Sequence, residues 1–344
     1  MICACGGASQ GARDAEGFPP VRELAADSVA IDEILQVKEI VLCGDYAAIY
    51  SPKTSKVLFR YRLPDWTFVD SSLVTGEGPD DLSQNGNLLP ADHTSNVLWV
   101  SEPMRQKICR YDLSSTVRKA VSVPGGRGDW IFSAQVCGDS LLVYGKFDFS
   151  AKAYCLRVMR LADSLRVADS LQCPIKSEVH TEGNSSWARL FNTPTVALSR
   201  EGRLALWYDL METMMTYRIT AQGRLEPEDT FGQSLTQQLV DGTDFEALAK
   251  RDYSEALAEV SDSHIFMLRT RYDRAAVGDY DSDSSRRIEE LEIKVYDWAM
   301  NPVARFRLDH PSASRVLIDS ARGRIYAYDP REDFEQVYVY RFEL

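Results

Sequence analysis

Along this chain, short runs of alternating apolar and polar residues recur, each entered through a tight polar turn. A run of period two, a two-residue turn and a second such run is a β-hairpin signal, because successive strand side chains point to opposite faces. The turns fall at Gly44-Asp45, Ser95-Asn96, Gly138-Asp139, Gly202-Arg203, Asp262-Ser263 and Gly323-Arg324. Two of them are near copies: Val41-Leu42-Cys43-Gly44-Asp45 leads to Tyr50, and Gln135-Val136-Cys137-Gly138-Asp139 leads to Tyr144 at the same offset. After each turn comes an alternating strand, predicted at Ala47–Tyr50, Val97–Val100, Leu141–Tyr144, Leu204–Tyr208, Ile265–Leu268 and Ile325–Tyr328. A further strand follows at Val57–Tyr61, Lys107–Tyr111, Tyr154–Met159, Met214–Ile219, Leu291–Tyr296 and Gln336–Phe342.

Before the turn sits an inner strand, clearest at Ile131–Val136, Thr195–Leu198, Ala256–Val260 and Arg315–Ile318. A fourth, outer strand is visible at Arg118–Val123, Leu165–Ala168 and Val303–Leu308. The turn-to-turn spacing of 43 to 64 residues is loose but persistent, as expected when insertions collect in loops. The sixth unit has only three strands before Leu344, while Val29-Ala30-Ile31 has β character and no unit of its own. A closed ring solves both problems and removes the exposed end of an open array. The expected fold is therefore all-β: a six-bladed β-propeller of four-stranded blades, its ring closed by an N-terminal strand. The one short helix predicted is Asp244–Lys250, capped by Thr243 or Asp244.

Two segments carry a family resemblance. Val97-Leu98-Trp99-Val100-Ser101-Glu102, followed by Lys107-Ile108-Cys109-Arg110-Tyr111-Asp112-Leu113, resembles an NHL-type propeller blade, in which an acidic turn follows one strand and a basic residue opens the next. Gly76-Glu77-Gly78-Pro79-Asp80-Asp81 looks like the Gly-x-Gly-Pro-x-acidic connector between such blades. At the amino terminus, Ile2 and Ala4 precede Cys5 much as the last residues of a bacterial lipoprotein signal precede the acylated cysteine, with Cys3 an unusual occupant between them. Together these features resemble the TolB-like six-bladed propellers of bacterial envelope lipoproteins. That resemblance implies a lipid anchor at Cys5 and a place in the cell envelope, periplasm or outer membrane; without acylation the expected location is cytoplasmic. Residues 1–20 read as a lipoprotein-like tail and flexible tether, and residues 21–344 as one propeller domain.

Composition narrows the function. Lys and Arg number 39 against 51 Asp and Glu, a formal charge of −12 without basic clusters, which sets nucleic-acid binding aside. No apolar run approaches the roughly 20 residues of a membrane-spanning helix. The seven cysteines lack metal or disulfide spacing, so Cys43 and Cys137 read as small packing residues at strand ends. No nucleophile elbow, His-Glu-x-x-His motif or phosphate loop is present.

Candidate chemistry gathers in unequal loops. Gly125-Gly126-Arg127-Gly128-Asp129-Trp130 offers a close backbone approach with a charge, an acceptor and a stacking plane at Arg127, Asp129 and Trp130, or else a glycine turn with a packed indole. Trp187, Arg189 and Asn192 could stack on a sugar ring and hydrogen-bond its substituents, the alternative being a loop anchor at Trp187. Tyr272 is available beside a long loop. Asp279, Asp281, Asp283 and Glu290 fall at positions one, three, five and twelve of a calcium-type loop. Against a Ca²⁺ site, Ser284 replaces the turn glycine, Arg286 and Arg287 add positive charge, and no helices flank the loop. The expected activity is non-catalytic binding of a glycan, peptide or envelope protein. The alternatives are a propeller hydrolase or lyase acting on a carbohydrate or lactone, with Asp129, His180, His310 or Tyr272 drawn from separate blades, and a purely structural scaffold.

Overall fold

The computed structural model describes residues 17–344 apart from 35, 79–80, 84, 90–94, 125–130, 132–133, 139, 149–152, 163, 173–193, 233–250, 274–286, 312 and 331–334; the side chains of 118–124, 147–148 and 153 are also outside the description. Six antiparallel sheets stand around a central channel as a six-bladed propeller. Blade 1 runs outward through Glu39–Cys43, Tyr46–Tyr50, Leu58–Arg62 and Thr67–Ser72. Blade 2 follows with Asn87–Leu89, Val97–Glu102, Lys107–Asp112 and Arg118–Pro124, and blade 3 with Gln135–Cys137, Leu141–Asp148, Ala153–Leu161 and Leu165–Gln172. Blade 4 comprises Thr195–Leu198, Arg203–Tyr208, Thr213–Ile219 and Leu225–Phe231; blade 5 comprises Tyr253–Val260, His264–Tyr272, Ile288–Asp297 and Pro302–Leu308.

Blade 6 has three consecutive strands, Arg315–Asp319, Arg324–Tyr328 and Gln336–Arg341. Its fourth is Asp27–Ala30, antiparallel to Gln336–Val339, which closes the ring as the orphan segment predicts. A second N-terminal strand went unpredicted. Arg22–Leu24 pairs in parallel with Phe306–Leu308 and widens blade 5 to five strands. Just before it, Phe18 is completely buried, with its ring 5.0 Å from that of Tyr296 in an edge-on contact.

Packing explains the sequence pattern. Each blade has a neighbour on both faces, so its second strand carries consecutive buried residues rather than alternate ones; Tyr46–Tyr50 is buried at every position and Ile265–Met267 at three in a row. The apolar side chains divide into six clusters, one in each seam between adjacent blades. Tyr61 and Trp66 of blade 1, for example, meet Tyr326 and Tyr328 of blade 6, which makes the closing seam as apolar as the others. Outer strands face solvent. In blades 1 to 4, each carries a register shift against its neighbour, as between Arg60 and Tyr61 or Thr216 and Tyr217. Such bulges twist an edge strand away from flat pairing.

The inner hairpins lie where the turns predict, with local adjustments. Gly44-Asp45 and Asp262-Ser263 sit at the predicted turn. In blades 4 and 6 the bend spans 200–202 and 320–323, one step before the predicted pair, while in blade 2 a longer connection ends at Ser95-Asn96. These hairpins stitch blade to blade. Asp45 N–H donates to Asn96 Oδ1 at 2.8 Å, Glu201 N–H to Asp262 Oδ1 at 3.0 Å, and Arg322 Nη2 to Asp45 Oδ1 at 3.0 Å. Gly44 is required there, because its φ is +55° and a Cβ would stand 2.2 Å from Asn96 Oδ1. The predicted helix at 244–250 lies outside the described residues. Among the described residues, helical turns are confined to Pro103–Arg105 and Asp209–Met211, and no helix is long and apolar enough to cross a membrane.

Candidate functional site

Inner strands enter from the face of the connectors between blades and leave at the inner hairpins, so their first residues ring one mouth of the channel. Those first residues are Glu39, Asn87, Gln135, Thr195, Tyr253 and Arg315. An innermost strand has no strand on its channel side, so backbone groups on that edge need partners from elsewhere. The collar supplies several. Glu39 Oε2 accepts Leu88 N–H at 2.7 Å, Gln135 Nε2 donates to Val196 O at 3.4 Å, and Thr195 Oγ1 accepts Leu257 N–H at 3.1 Å. In each case the side chain reaches the inner strand of the following blade.

Between the two mouths lies a cavity of about 830 Å³, bordered by the inner strands of blades 1, 3, 4, 5 and 6. Its wall is aliphatic over much of its length, with Ile40, Val196, Leu198, Leu257, Val316 and Leu317 among the bordering residues. Ionisable groups interrupt it from blades 1, 4, 5 and 6, Arg200 of the blade 4 hairpin among them. Lys38 donates from Nζ to Gly86 O at 2.6 Å and lies 5.0 Å over the Tyr50 ring; burial lowers its pKa. Burial raises the Glu39 carboxyl to about 7, against the opposing influence of the Leu88 N–H, Lys38 and Arg315. Glu259 follows a bulge at Ala258 and accepts a hydrogen bond from Ser320 Oγ at 3.2 Å. Burial pushes its carboxyl well above the usual carboxylate range, and nearby Asp319 adds to the effect. Asp319 is itself paired with Arg322 at 2.8 Å. At the hairpin end, Ser263 Oγ lies 2.8 Å from His264 Nδ1, and burial lowers the imidazole pKa. Among the described residues, no three His, Cys, Asp or Glu side chains form a group able to hold a metal ion.

Around the connector-side mouth, acidic residues at two short helical turns clamp the links between blades. Glu102 is fully buried, pairs with Lys107 at 2.8 Å and accepts Ser83 N–H at 3.1 Å. This is the acid-then-base pair of the blade 2 motif, closed directly across the ladder. The Gly76-to-Asp81 segment lies in the connector this clamp secures: Arg105 donates to the carbonyls of Gly76 and Asp81, and Asp81 Oδ2 accepts Gly78 N–H at 2.8 Å. In blade 4, Asp209 accepts Glu255 N–H at 2.8 Å and pairs with Arg251 at 2.7 Å.

Most sequence-predicted site residues fall outside the described residues: Cys5, Arg127, Asp129, Trp130, Trp187, Arg189, Asn192, Asp279, Asp281 and Asp283. Two are described. Tyr272 ends the second strand of blade 5, half-buried, with its hydroxyl 3.1 Å from Ser254 Oγ. Glu290 lies in the third strand of that blade, opposite Arg271, and pairs with Arg307 at 3.0 Å. Cys43 is buried, its thiol pushed up to about 12 by burial, and Cys137 is half-buried with Sγ 3.8 Å from Arg200 O. Sequence reasoning missed the channel collar. Its signal is a polar residue opening each inner strand, legible only once all six strands are aligned.

No protein-family model matches the chain, and no curated protein matches it by sequence. Among solved structures, a candidate exported protein of Bacteroides fragilis is similar at 12% identity and a TM-score of 0.51, covering 93% of this chain and 95% of that one. Regucalcin of Agrobacterium tumefaciens, a calcium-binding protein, is similar at 10% identity and a TM-score of 0.48, covering 94% and 98% respectively. At 12% identity the likeness to the Bacteroides protein speaks for the propeller fold alone.

Proposed function

We propose that this propeller is a non-catalytic binding module of the TolB-like, NHL-like kind, working at the bacterial cell envelope on a glycan, peptide or protein ligand. In this reading residues 1–20 are the tether, docked on the propeller near its end by the buried Phe18, Cys5 is its lipid anchor, and residues 21–344 are the binding domain. The observation that carries it is the cavity of about 830 Å³, which lies in the size range of small-ligand sites and has an aliphatic wall with a polar collar. The wall carboxylates favour binding over hydrolysis: Glu39 is committed to Leu88 and Asp319 to Arg322. The loops that hold Arg127, Asp129, Trp130, Trp187, Arg189 and Asn192 extend this site in the proposal, with Tyr272 at its rim.

A glycan array and a peptide library, read in parallel with the full chain and with Ala258→Trp, test the reading. Ala258 borders the cavity, so the indole occupies ligand space without removing a charged group. A ligand bound by the parent and lost from a variant of similar melting temperature supports the assignment. Absence of any ligand, or binding indifferent to the indole, sinks it.

A further inference from the structure

The channel's ionisable groups are not equivalent. Lys38 donates to Gly86 O, Glu39 accepts from Leu88, Glu259 accepts from Ser320, Asp319 is paired with Arg322, and Asp262 accepts Glu201 N–H. Arg315 differs. It opens the inner strand of blade 6, is exposed and borders the cavity. Among the described residues its side chain makes no hydrogen bond and no ion pair; the charges it acts on are those of Glu39 and Tyr328. A guanidinium presents its donors as a rigid planar fork, and that fork matches a carboxylate through two parallel hydrogen bonds. Val316 and Leu317 follow Arg315 along the same strand and border the cavity, with Leu257 on neighbouring blade 5 and Leu198 on blade 4 beyond it.

Resting on the binding reading above, we propose that the channel takes an aliphatic carboxylate, its head bidentate on Arg315 and its chain lying along Val316, Leu317, Leu257 and Leu198. Two features favour an anion over a cation. The wall acids already have donors, and burial holds Glu39 and Glu259 toward their neutral forms. A singly charged head matches the single charge of the Arg315 fork, whereas a phosphate dianion would carry one negative charge more than that fork neutralises.

Isothermal titration of the full chain with decanoate, decanol and decyltrimethylammonium, all below their micellar concentrations, tests the assignment. Decanoate should bind one to one, at least tenfold more tightly than decanol, and decyltrimethylammonium should bind most weakly. Arg315→Gln should weaken decanoate tenfold or more and leave decanol within about twofold, the tenfold corresponding to about 1.4 kcal/mol. Arg315→Lys, which keeps the charge and loses the fork, should fall between. Melting temperatures for both variants check that the fold survives. Equal binding of decanoate and decyltrimethylammonium, no binding of decanoate, or decanoate binding untouched by Arg315→Gln would overturn the inference. If any of these occurs while a glycan or peptide ligand is still lost from Ala258→Trp, the aliphatic-carboxylate assignment falls and the binding module stands.

Discussion

Gly44 and Gly138 occupy the same place in two near-identical hairpins and have nearly the same backbone angle, φ +55° and +56°, yet their surroundings differ. Substituting alanine at each separates two costs that usually arrive together. At Gly138 an added Cβ meets nothing within 4 Å among the described residues, so only the left-handed backbone is penalised, by about 1–2 kcal/mol. At Gly44 the same penalty applies, and the Cβ also stands 2.2 Å from Asn96 Oδ1 and 2.9 Å from the backbone of Ser95 and Asn96. Moving Asn96 aside breaks the 2.8 Å bond it accepts from Asp45 N–H, about 1 kcal/mol, and the backbone contact adds an overpacking cost of about 1–3 kcal/mol. Gly44→Ala should therefore cost at least about 2 kcal/mol more than Gly138→Ala, a difference of roughly thirtyfold or greater in folding equilibrium. Urea denaturation of the two variants and the parent, followed by tryptophan fluorescence, measures both values. Losses agreeing within about 0.5 kcal/mol would refute the claim that this hairpin is held by nesting against blade 2.

The Glu39 carboxyl, raised from the usual 4.5 to about 7, binds its proton more tightly in the folded protein than in the unfolded chain. Stability from this group therefore rises as pH falls from about 7 toward 4.5, and ionisation costs about 3 kcal/mol above that window. Glu39→Gln keeps an acceptor for Leu88 N–H, so it should raise stability at pH 8 and flatten the urea midpoint profile between pH 5 and 7; an unchanged slope would sink this account. Phe18→Ala empties a fully buried ring site and should cost about 3 kcal/mol, with faster hydrogen exchange at Arg22–Leu24. Unchanged exchange there would mean that the ring does not hold that strand.

Much of the architecture was legible because hairpin turns and buried strands leave strong local signals. Cys43-Gly44-Asp45 marks a turn, and the run Tyr46–Tyr50 marks a strand buried on both sides. Outer strands were harder to read. Thr67–Ser72 and Leu225–Phe231 have one edge and much of their surface in water, so polar residues such as Asp70, Glu226 and Glu228 hide them from a hydrophobic pattern. The parallel strand Arg22–Leu24 was illegible for another reason: three mostly exposed residues gain their place from Phe306–Leu308, far along the chain. The channel site was the least legible part. Arg315, Glu39 and Glu259 are ordinary charged residues in sequence and acquire meaning only when the ring brings separate inner strands together.

Closure by the N-terminal strand also sets an order of events during folding. Asp27 pairs with Val339, about 310 residues away, so the seam between blades 6 and 1 cannot form until nearly all of the chain has been synthesised. Blades 1 to 5 can assemble their sheets from neighbouring segments as they emerge, whereas the last sheet must wait for a contact of maximal sequence separation. Such contacts slow folding, because the entropy of closing the loop is lost before the contact rewards it. The apolar flank of blade 1, carrying Tyr61 and Trp66, stays uncovered throughout that wait. The ring is thus most vulnerable to misassociation at its first blade, just before its last one forms.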